Sequence, residues 1–274
     1  MLQPVLVNAY PRRWRPAPVF TATLALHLLA LVLVLERPAF WPWSVALVVF
    51  NHLWLTAAGL WPRSRLLGPN QTRLSAEAAA AGYVAITIDD GPDPLVTPQV
   101  LELLARHRCR ATFFCIGERV AAHPKLARQI LAAGHDIENH TQHHRHQFSL
   151  LGPRRMAREI EQGQRSIAAL GGEPPRFFRA PAGLRNPFLE PVLCRLGLKL
   201  VSWTRRGFDT VTADPQKVLA RLIRRLRAGD ILLLHDGHAA RTAAGQAVIL
   251  EVLPPLLAAL QRAGLSSTSL RGAL

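Results

Sequence analysis

Two neighbouring carboxylates, Asp89 and Asp90, stand at the end of an apolar run in the stretch TIDDGPDP, residues 87–94. Tyr83 to Ile88 reads as a buried strand, along which side chains alternate, so adjacent acids at its end point opposite ways. The Gly91-Pro92 turn sets the backbone where they emerge. One acid can then bind a metal while the other handles a proton. Standing alone, a loop of Asp89, Asp90, Gly91 and Asp93 is equally a solvated turn or a helix-capping segment, so the remainder of the chain has to decide. Further on, GHDIENHTQHHRH (residues 134–146) holds His140 and His144 four positions apart. That spacing predicts two imidazoles on one face of a helical turn. With a carboxylate from elsewhere they make a two-His, one-carboxylate set that leaves metal positions open to water, which is the pattern of a catalytic site rather than a structural one. His135, His143 and His146 read as members of a solvated polar loop or a loose metal-binding tract.

Three more segments follow in order: RAPAG at 179–183, SWTRRGFDT at 202–210 and ILLLHDG at 231–237. The elements that must position them are legible from periodicity. Apolar or β-branched runs at 83–88, 111–116, 135–139, 176–180, 198–203 and 230–234 alternate with helical patterns such as Met156, Ile160, Gly163, Ile167 and Leu170. Alternating strands and helices imply an α/β fold with a parallel sheet. Asp89, His140, Arg179, Asp209 and His235 all fall at or just past predicted strand ends, the face where parallel β/α barrels gather their chemistry.

In this order the segments resemble the motifs of the polysaccharide deacetylase family, the NodB-homology carbohydrate esterases, over roughly residues 83–270. TIDDGP stands for the family's TFDDGP, HTQHH for its H-[ST]-x-x-H, RAPAG for its R-x-P-[YF]-G, Trp203 and Asp209 for its fourth motif, and Leu233 to His235 for its L-x-H. The resemblance implies a distorted, incomplete (β/α) barrel with a short last strand near Ser266 to Leu270. It also implies metal-dependent removal of an N-acyl group, most simply N-acetyl, from an amino sugar. Asp90, His140 and His144 would hold one divalent ion, zinc by default, with cobalt, manganese or iron compatible with the same ligands. Asp89 would act as general base and His235 as general acid, with Arg179 orienting Asp89 and Asp209 supporting His235. The backbone N–H of Ala182 would serve the oxyanion, and Trp203 with Leu233 would line the acyl pocket. Ala182 replaces the family's aromatic residue, which puts the shape of the sugar-binding surface in question. A turnover-deficient carbohydrate-binding relative is the competing class, and retention of Asp89 and His235 argues against it.

The first 80 residues differ in kind. Val19 to Leu35 and Phe40 to Trp61 are apolar segments near the length that crosses a bilayer, separated by Pro38 and Pro42 and ended by Pro62. Trp41, Trp43, Trp54 and Trp61 suit interfacial anchors. A cleaved signal peptide is the alternative, and the second span counts against it. The chain divides on this reading into a basic segment (1–18), a transmembrane helical hairpin (19–61), a linker (62–81) and the catalytic domain (82–274). Arg12, Arg13 and Arg15 precede the first span, and Arg63, Arg65 and Arg73 follow the second, while the turn between carries only Glu36 and Arg37. The positive-inside tendency then predicts a multi-pass inner-membrane protein with a cytoplasmic catalytic domain, which suits a lipid-carrier-linked amino sugar better than a cell-wall or exported polymer.

A formal net charge of +15 and a pI of about 11.4 favour anionic partners, membrane lipids among them. No nucleic-acid module accompanies that charge, so no nucleic-acid partner is expected. One basic cluster sits on a predicted helix over 215–228, where Lys217, Arg221, Arg224 and Arg225 oppose an apolar stripe of Val218, Leu222 and Leu226. Cys109, Cys115 and Cys194 have no CxxC spacing and read as reduced residues in or near the core.

Overall fold

The computed structural model describes residues 11–274, so most of the expected basic segment, residues 1–10, lies outside the described residues. Eight parallel strands form the scaffold: β1 (Tyr83–Asp89), β2 (Ala111–Cys115), β3 (Asp136–Asn139), β4 (Phe177–Phe178), β5 (Lys199–Leu200), β6 (Arg205–Arg206), β7 (Ile231–His235) and β8 (Ser266–Thr268). Seven lie side by side in the order β5-β4-β3-β2-β1-β7-β6, and β8 pairs with the start of β1. β5 and β6 do not pair with each other among the described residues, so the sheet is a curled, open barrel, as the resemblance implied.

The helices are α1 (Pro18–Glu36), α2 (Trp41–Leu60), α3 (Ala76–Ala80), α4 (Thr97–Arg106), α5 (Gly117–Ala122), α6 (Pro124–Ala132), α7 (Pro153–Ala168), α8 (Leu189–Arg195), α9 (Pro215–Ile223) and α10 (Val248–Arg262). β1 explains the layering. Its β-branched run is buried on both faces, as a central parallel strand must be. Val84, Ile86 and Ile88 join Val100 and Leu104 of α4 and Val252 and Leu256 of α10 in the outer core. Ala85 faces the other way, into an inner core with Phe114, Trp203 and Leu233. The same alternation carries Asp89 to the inner side.

Register then aligns the strand ends. Asp89 lies opposite His235 of β7 and Phe114 of β2, Cys115 opposite Asn139, and Asn139 opposite Phe178. His140 and Arg179 each follow the last of these residues by one position, so one rim collects the chemistry-bearing side chains.

Several expectations need correction. The runs at 176–180 and 198–203 pair over only two residues each, because the backbone leaves the ladder after Phe178 and Leu200. The neighbour that β5 gains comes from residues 62–81. Gln71 donates to the Leu200 carbonyl at 2.9 Å and accepts from Ser202 N at 2.8 Å, Leu67 and Leu74 are buried, and Arg73 bridges to Asp230. The segment read as a linker is therefore packed onto the sheet. The basic helix ends at Ile223 rather than at residue 228: Arg225 has φ 56, and the turn is held by Arg227 N donating to Asp230 Oδ2 at 3.1 Å. Arg225 accordingly leaves the face it was expected to share with Lys217 and Arg221, while Arg224, at the helix end, stays beside Arg221.

α1 and α2 form a hairpin whose large apolar side chains point outward, with Leu24, Leu35, Trp43 and Phe50 all exposed. By length and composition both helices are able to cross a membrane. Thr23 donates to Asn51 at 3.2 Å and the His27 and His52 rings meet at 3.2 Å, tying the two helices together. The far end of α2 docks on the barrel domain. Arg185 N donates to Gly59 O at 3.1 Å, and a Cβ on Gly59 would stand 2.3 Å from the Arg185 carbonyl oxygen, so only glycine permits this approach.

Candidate active site

Asp89 is held from behind. Arg179, fully buried, places Nη1 2.6 Å from Asp89 Oδ1 and 2.8 Å from Thr87 Oγ1. Its remaining donors reach the Val201 and Ser202 carbonyls, and its guanidinium lies over Phe114 at 4.1 Å. All three guanidinium nitrogens are engaged, so the ion pair is held firmly as well as charge-assisted.

Asp90, one residue later, turns away through a positive φ of 76°. Its Oδ1 lies 3.3 Å from His140 Nε2 and 3.2 Å from His144 Nε2, with all three ligand atoms within 4.8 Å of one another. His140 Nδ1 donates to the Arg179 carbonyl at 2.7 Å, which leaves Nε2 with its lone pair facing the carboxylate. Asp90 Oδ1 is buried without a hydrogen-bond partner among the described residues. A buried carboxylate oxygen facing imidazole lone pairs is the donor set of a cation site. Protonation agrees. Burial lowers the His144 pKa to about 4, helped by the adjacent His140, which keeps the imidazole neutral. Burial opposes ionisation of Asp90, but the imidazoles of His140 and His238 outweigh it and hold the carboxyl well below its usual range. Neutral histidine and ionised aspartate are the forms that bind metal.

The two histidines converge without the expected helical turn. Residues 140–147 form a loop in which Asn139 Oδ1 accepts from Thr141 N at 2.8 Å and Thr141 Oγ1 accepts from His144 N at 3.0 Å. Thr141 and His144 take φ values of 68° and 50°, so local side-chain bonds rather than helical periodicity bring the rings together. α7 backs this loop at Gly163, where a Cβ would stand 2.9 Å from Asn139 Oδ1. The neighbouring histidines are not simply solvated: His143 pairs with Glu159 at 3.1 Å, and His135 is buried, its Nδ1 accepting from Ala111 N.

Across the cleft, His235 Nδ1 lies 2.8 Å from Asp209 Oδ1, and Asp209 Oδ2 accepts the His235 backbone N–H at 2.7 Å. Burial alone would lower the His235 pKa, but the Asp209 charge, with Asp89 and Asp90 beyond it, pushes it up to about 9. A pKa raised in this way favours the protonated imidazole at neutral pH, the form that can donate a proton. Asp209→Asn removes the nearest compensating charge, so the alkaline limb of kcat/KM should move to lower pH by about one unit or more. A pH–rate profile of the variant checks this, and an unmoved alkaline limb would remove His235 from the acid role.

The candidate cleft, about 290 Å³, is lined by Asp89, Asp90, His140, His144, Ala182, Trp203, Leu233 and His235, with Arg179 and Asp209 behind it. Ala182, at φ 54° in the turn after Pro181, presents only a methyl group at the rim. Trp203 and Leu233 also belong to the inner core, so they serve packing and cleft alike. His238 is a member that sequence reasoning missed. Its Nδ1 lies 2.9 Å from Asp90 Oδ2 while half its side chain is exposed. The HDGH run after β7 was its only signal. Arg206 and His146 likewise line the cleft without having been foreseen. A larger cavity, about 720 Å³, is a different one: it shares Trp203 and Arg206 with the cleft but contains none of its carboxylates or histidines.

Comparisons with known proteins converge on one family. The polysaccharide deacetylase family model matches residues 76–201. A peptidoglycan-N-acetylglucosamine deacetylase of Bacillus cereus is 36% identical over 175 residues, 63% of this chain and 81% of that protein. A chitooligosaccharide deacetylase of a Bradyrhizobium species is 35% identical over 188 residues, 66% of this chain and 85% of that protein. The structure of a family 4 carbohydrate esterase from Streptomyces lividans, bound to acetate, superposes with a TM-score of 0.62 at 34% identity, covering 68% of this chain and 91% of that one. With the ordered motifs brought to one rim and relatives covered over most of their length, the chain belongs to the polysaccharide deacetylase family.

Proposed function

We propose that this chain is a divalent-metal-dependent hydrolase that removes the N-acetyl group of an amino sugar. The observation that carries this reading is the convergence of three groupings on one cleft: the Asp90–His140–His144 donor set, an Arg179-held Asp89 and an Asp209-held His235. The relatives named for peptidoglycan and chitooligosaccharide deacetylation support the substrate class. Asp90, His140 and His144 would hold the ion, zinc in the first instance, with cobalt, manganese or iron suited to the same donors. When bound, such an ion lowers the pKa of water and polarises an amide carbonyl.

The chain's own residues then divide the proton transfers. Asp89 Oδ1 is committed to Arg179, and Oδ2, 3.8 Å from His140 Nε2, takes the proton of the attacking water. His235, whose Nδ1 is committed to Asp209, delivers a proton from Nε2 to the departing amine. The Ala182 backbone N–H donates to the developing oxyanion, and Trp203 and Leu233 give the acetyl methyl an apolar wall. Incubating the full chain in neutral detergent with zinc or cobalt and penta-N-acetylchitopentaose should release acetate in step with amino groups. No acetate with any of the four metals would remove the reading.

We assign α1 and α2 to a two-span anchor in the inner membrane and residues 82–274, with 62–81 packed on them, to the catalytic unit. The arginines flanking the hairpin at its outer ends support a cytoplasmic domain and a lipid-carrier-linked substrate. A phosphatase fused at Leu274 should therefore be inactive and a fluorescent protein there bright. The opposite pattern would favour the second reading, a deacetylase of wall or exported polymer, which the peptidoglycan-acting relative supports.

A further inference from the structure

The 720 Å³ cavity beside the catalytic cleft is bounded by Trp61 and Arg63, just past the end of α2, and by Arg205, Arg206, Arg221 and Arg224. Its charge is of one sign. Arg205 shares buried Asp230 with Arg73, at 3.0 Å and 2.9 Å, but no carboxylate pairs with Arg63, Arg206, Arg221 or Arg224 among the described residues. A concave surface lined by like charges concentrates field and draws in a counter-ion. Two of the guanidinium groups are also held in place. Arg206 stacks on Trp203 at 5.5 Å and on Phe208 at 4.9 Å, Arg221 lies over the same Phe208 at 5.5 Å, and Arg221 Nη1 bonds to Gly207 O and Thr212 Oγ1. Arg206 Nε is buried with no hydrogen-bond partner among the described residues. Two ordered guanidinium groups beside two exposed ones, none with a carboxylate partner, suit the tetrahedral oxygens of a phosphate group.

We propose that this cavity is a phosphate subsite for the substrate, holding the phosphate or diphosphate through which an acetylated amino sugar is joined to a lipid. The inference rests on the deacetylase reading above and specifies its substrate class. Position supports it as well as charge. Trp203 and Arg206 form a wall common to the cavity and the catalytic cleft, so a single ligand can place its sugar in one and its phosphate in the other. Trp61 and Arg63, just past the end of α2, line the same cavity, so a lipid tail attached to a phosphate there would lie near the hairpin. An uncharged oligosaccharide has no group to satisfy four unpaired guanidinium ions.

The test uses the full chain in neutral detergent and the double variant Arg63→Gln/Arg224→Gln, both exposed residues that do not line the catalytic cleft. Calorimetry with sodium pyrophosphate should show binding to the parent protein that weakens about tenfold or more in the variant, as expected for loss of charge-assisted contacts. The ratio of kcat/KM for a decyl phosphodiester of N-acetylglucosamine to that for tetra-N-acetylchitotetraose should also fall about tenfold. Absence of pyrophosphate binding, or an unchanged ratio, overturns the subsite. Phosphatidylglycerol, added to the micelles in place of phosphatidylcholine, tests the other source of the same chemistry. If it displaces pyrophosphate while the ratio stays unchanged, the cavity is a headgroup anchor and the substrate proposal fails. If neither sugar is deacetylated, the deacetylase reading fails by itself, and the calorimetric comparison still decides whether the arginines form an anion site.

Discussion

Replacing His140 with alanine is expected to strip the protein of its divalent metal and to abolish acetate release. Of three donors, His140 is the one whose orientation is set most firmly: Nδ1 is committed to the Arg179 carbonyl and the side chain is 2% exposed. Its loss leaves Asp90 and His144, too few protein ligands to hold an ion in an open site. Disturbing a residue that merely supports a ligand weakens binding by about 10–100-fold, so removing a ligand should exceed that. Metal per chain after dialysis against buffered zinc is the direct measurement. Dipicolinate should silence the parent enzyme, and zinc or cobalt should restore it, whereas neither should revive the variant. His143→Ala is the control, because His143 turns away to Glu159. Full metal content in His140→Ala would refute the assigned site.

The parts of the fold that the sequence made plain are those whose burial leaves a periodic trace. β1, β2 and β7 are covered on both faces, and their near-continuous apolar runs end where the strands end. α7 shows its buried stripe at helical spacing through Met156, Ile160, Gly163 and Ile167. β4, β5 and β6 are two residues each, too short for any period, and β6 is two arginines. Their pairing depends on which backbone lies beside them, which is a tertiary fact. The same holds for Gln71, whose role at the edge of β5 comes from spatial proximity to Val201 and from no feature of its own segment.

The cleft was legible for a different reason. Residue types that do chemistry are conspicuous in a sequence, and parallel topology carries the ends of distant strands to one rim. What spacing misjudged is the local path: four residues between His140 and His144 suggested a helical turn, but Asn139 and Thr141 hydrogen-bond the backbone into a loop with two left-handed residues. His238 escaped notice because its role is set by the geometry of Asp90 Oδ2 across the cleft. The arginine cavity escaped because its members come from the end of α2, β6 and α9. The basic face expected on α9 contributed Arg221 and, past the helix end, Arg224, but their neighbours Arg63 and Arg206 were invisible to helical periodicity.

Asp89→Asn should separate binding from turnover. Asp89 lies outside the close donor set: its Oδ2 is 3.8 Å from His140 Nε2, against 3.3 Å for Asp90 Oδ1, and its other oxygen is bound by Arg179. The amide keeps an oxygen for Arg179 and nearly the same shape, yet it cannot accept a proton from water. Metal content should therefore stay near the parent value while kcat falls by about 100- to 10,000-fold, the span attributed to a positioned general base. Asp90→Ala should lose metal and rate together. The substitution at Asp89 has a second consequence that must be measured beside the first. Arg179 is fully buried, and removing its partner's charge leaves an uncompensated cation, a change that costs about 3–5 kcal/mol in buried pairs. The Tm should drop, so rates must be compared well below the transition and normalised to folded protein. Serine at position 89 would remove the base and the pairing together, and a rate no lower than that of the asparagine variant would assign the loss to proton transfer rather than to misplacement of Arg179. Equal metal loss in Asp89→Asn and Asp90→Ala would mean that the two carboxylates have exchanged roles.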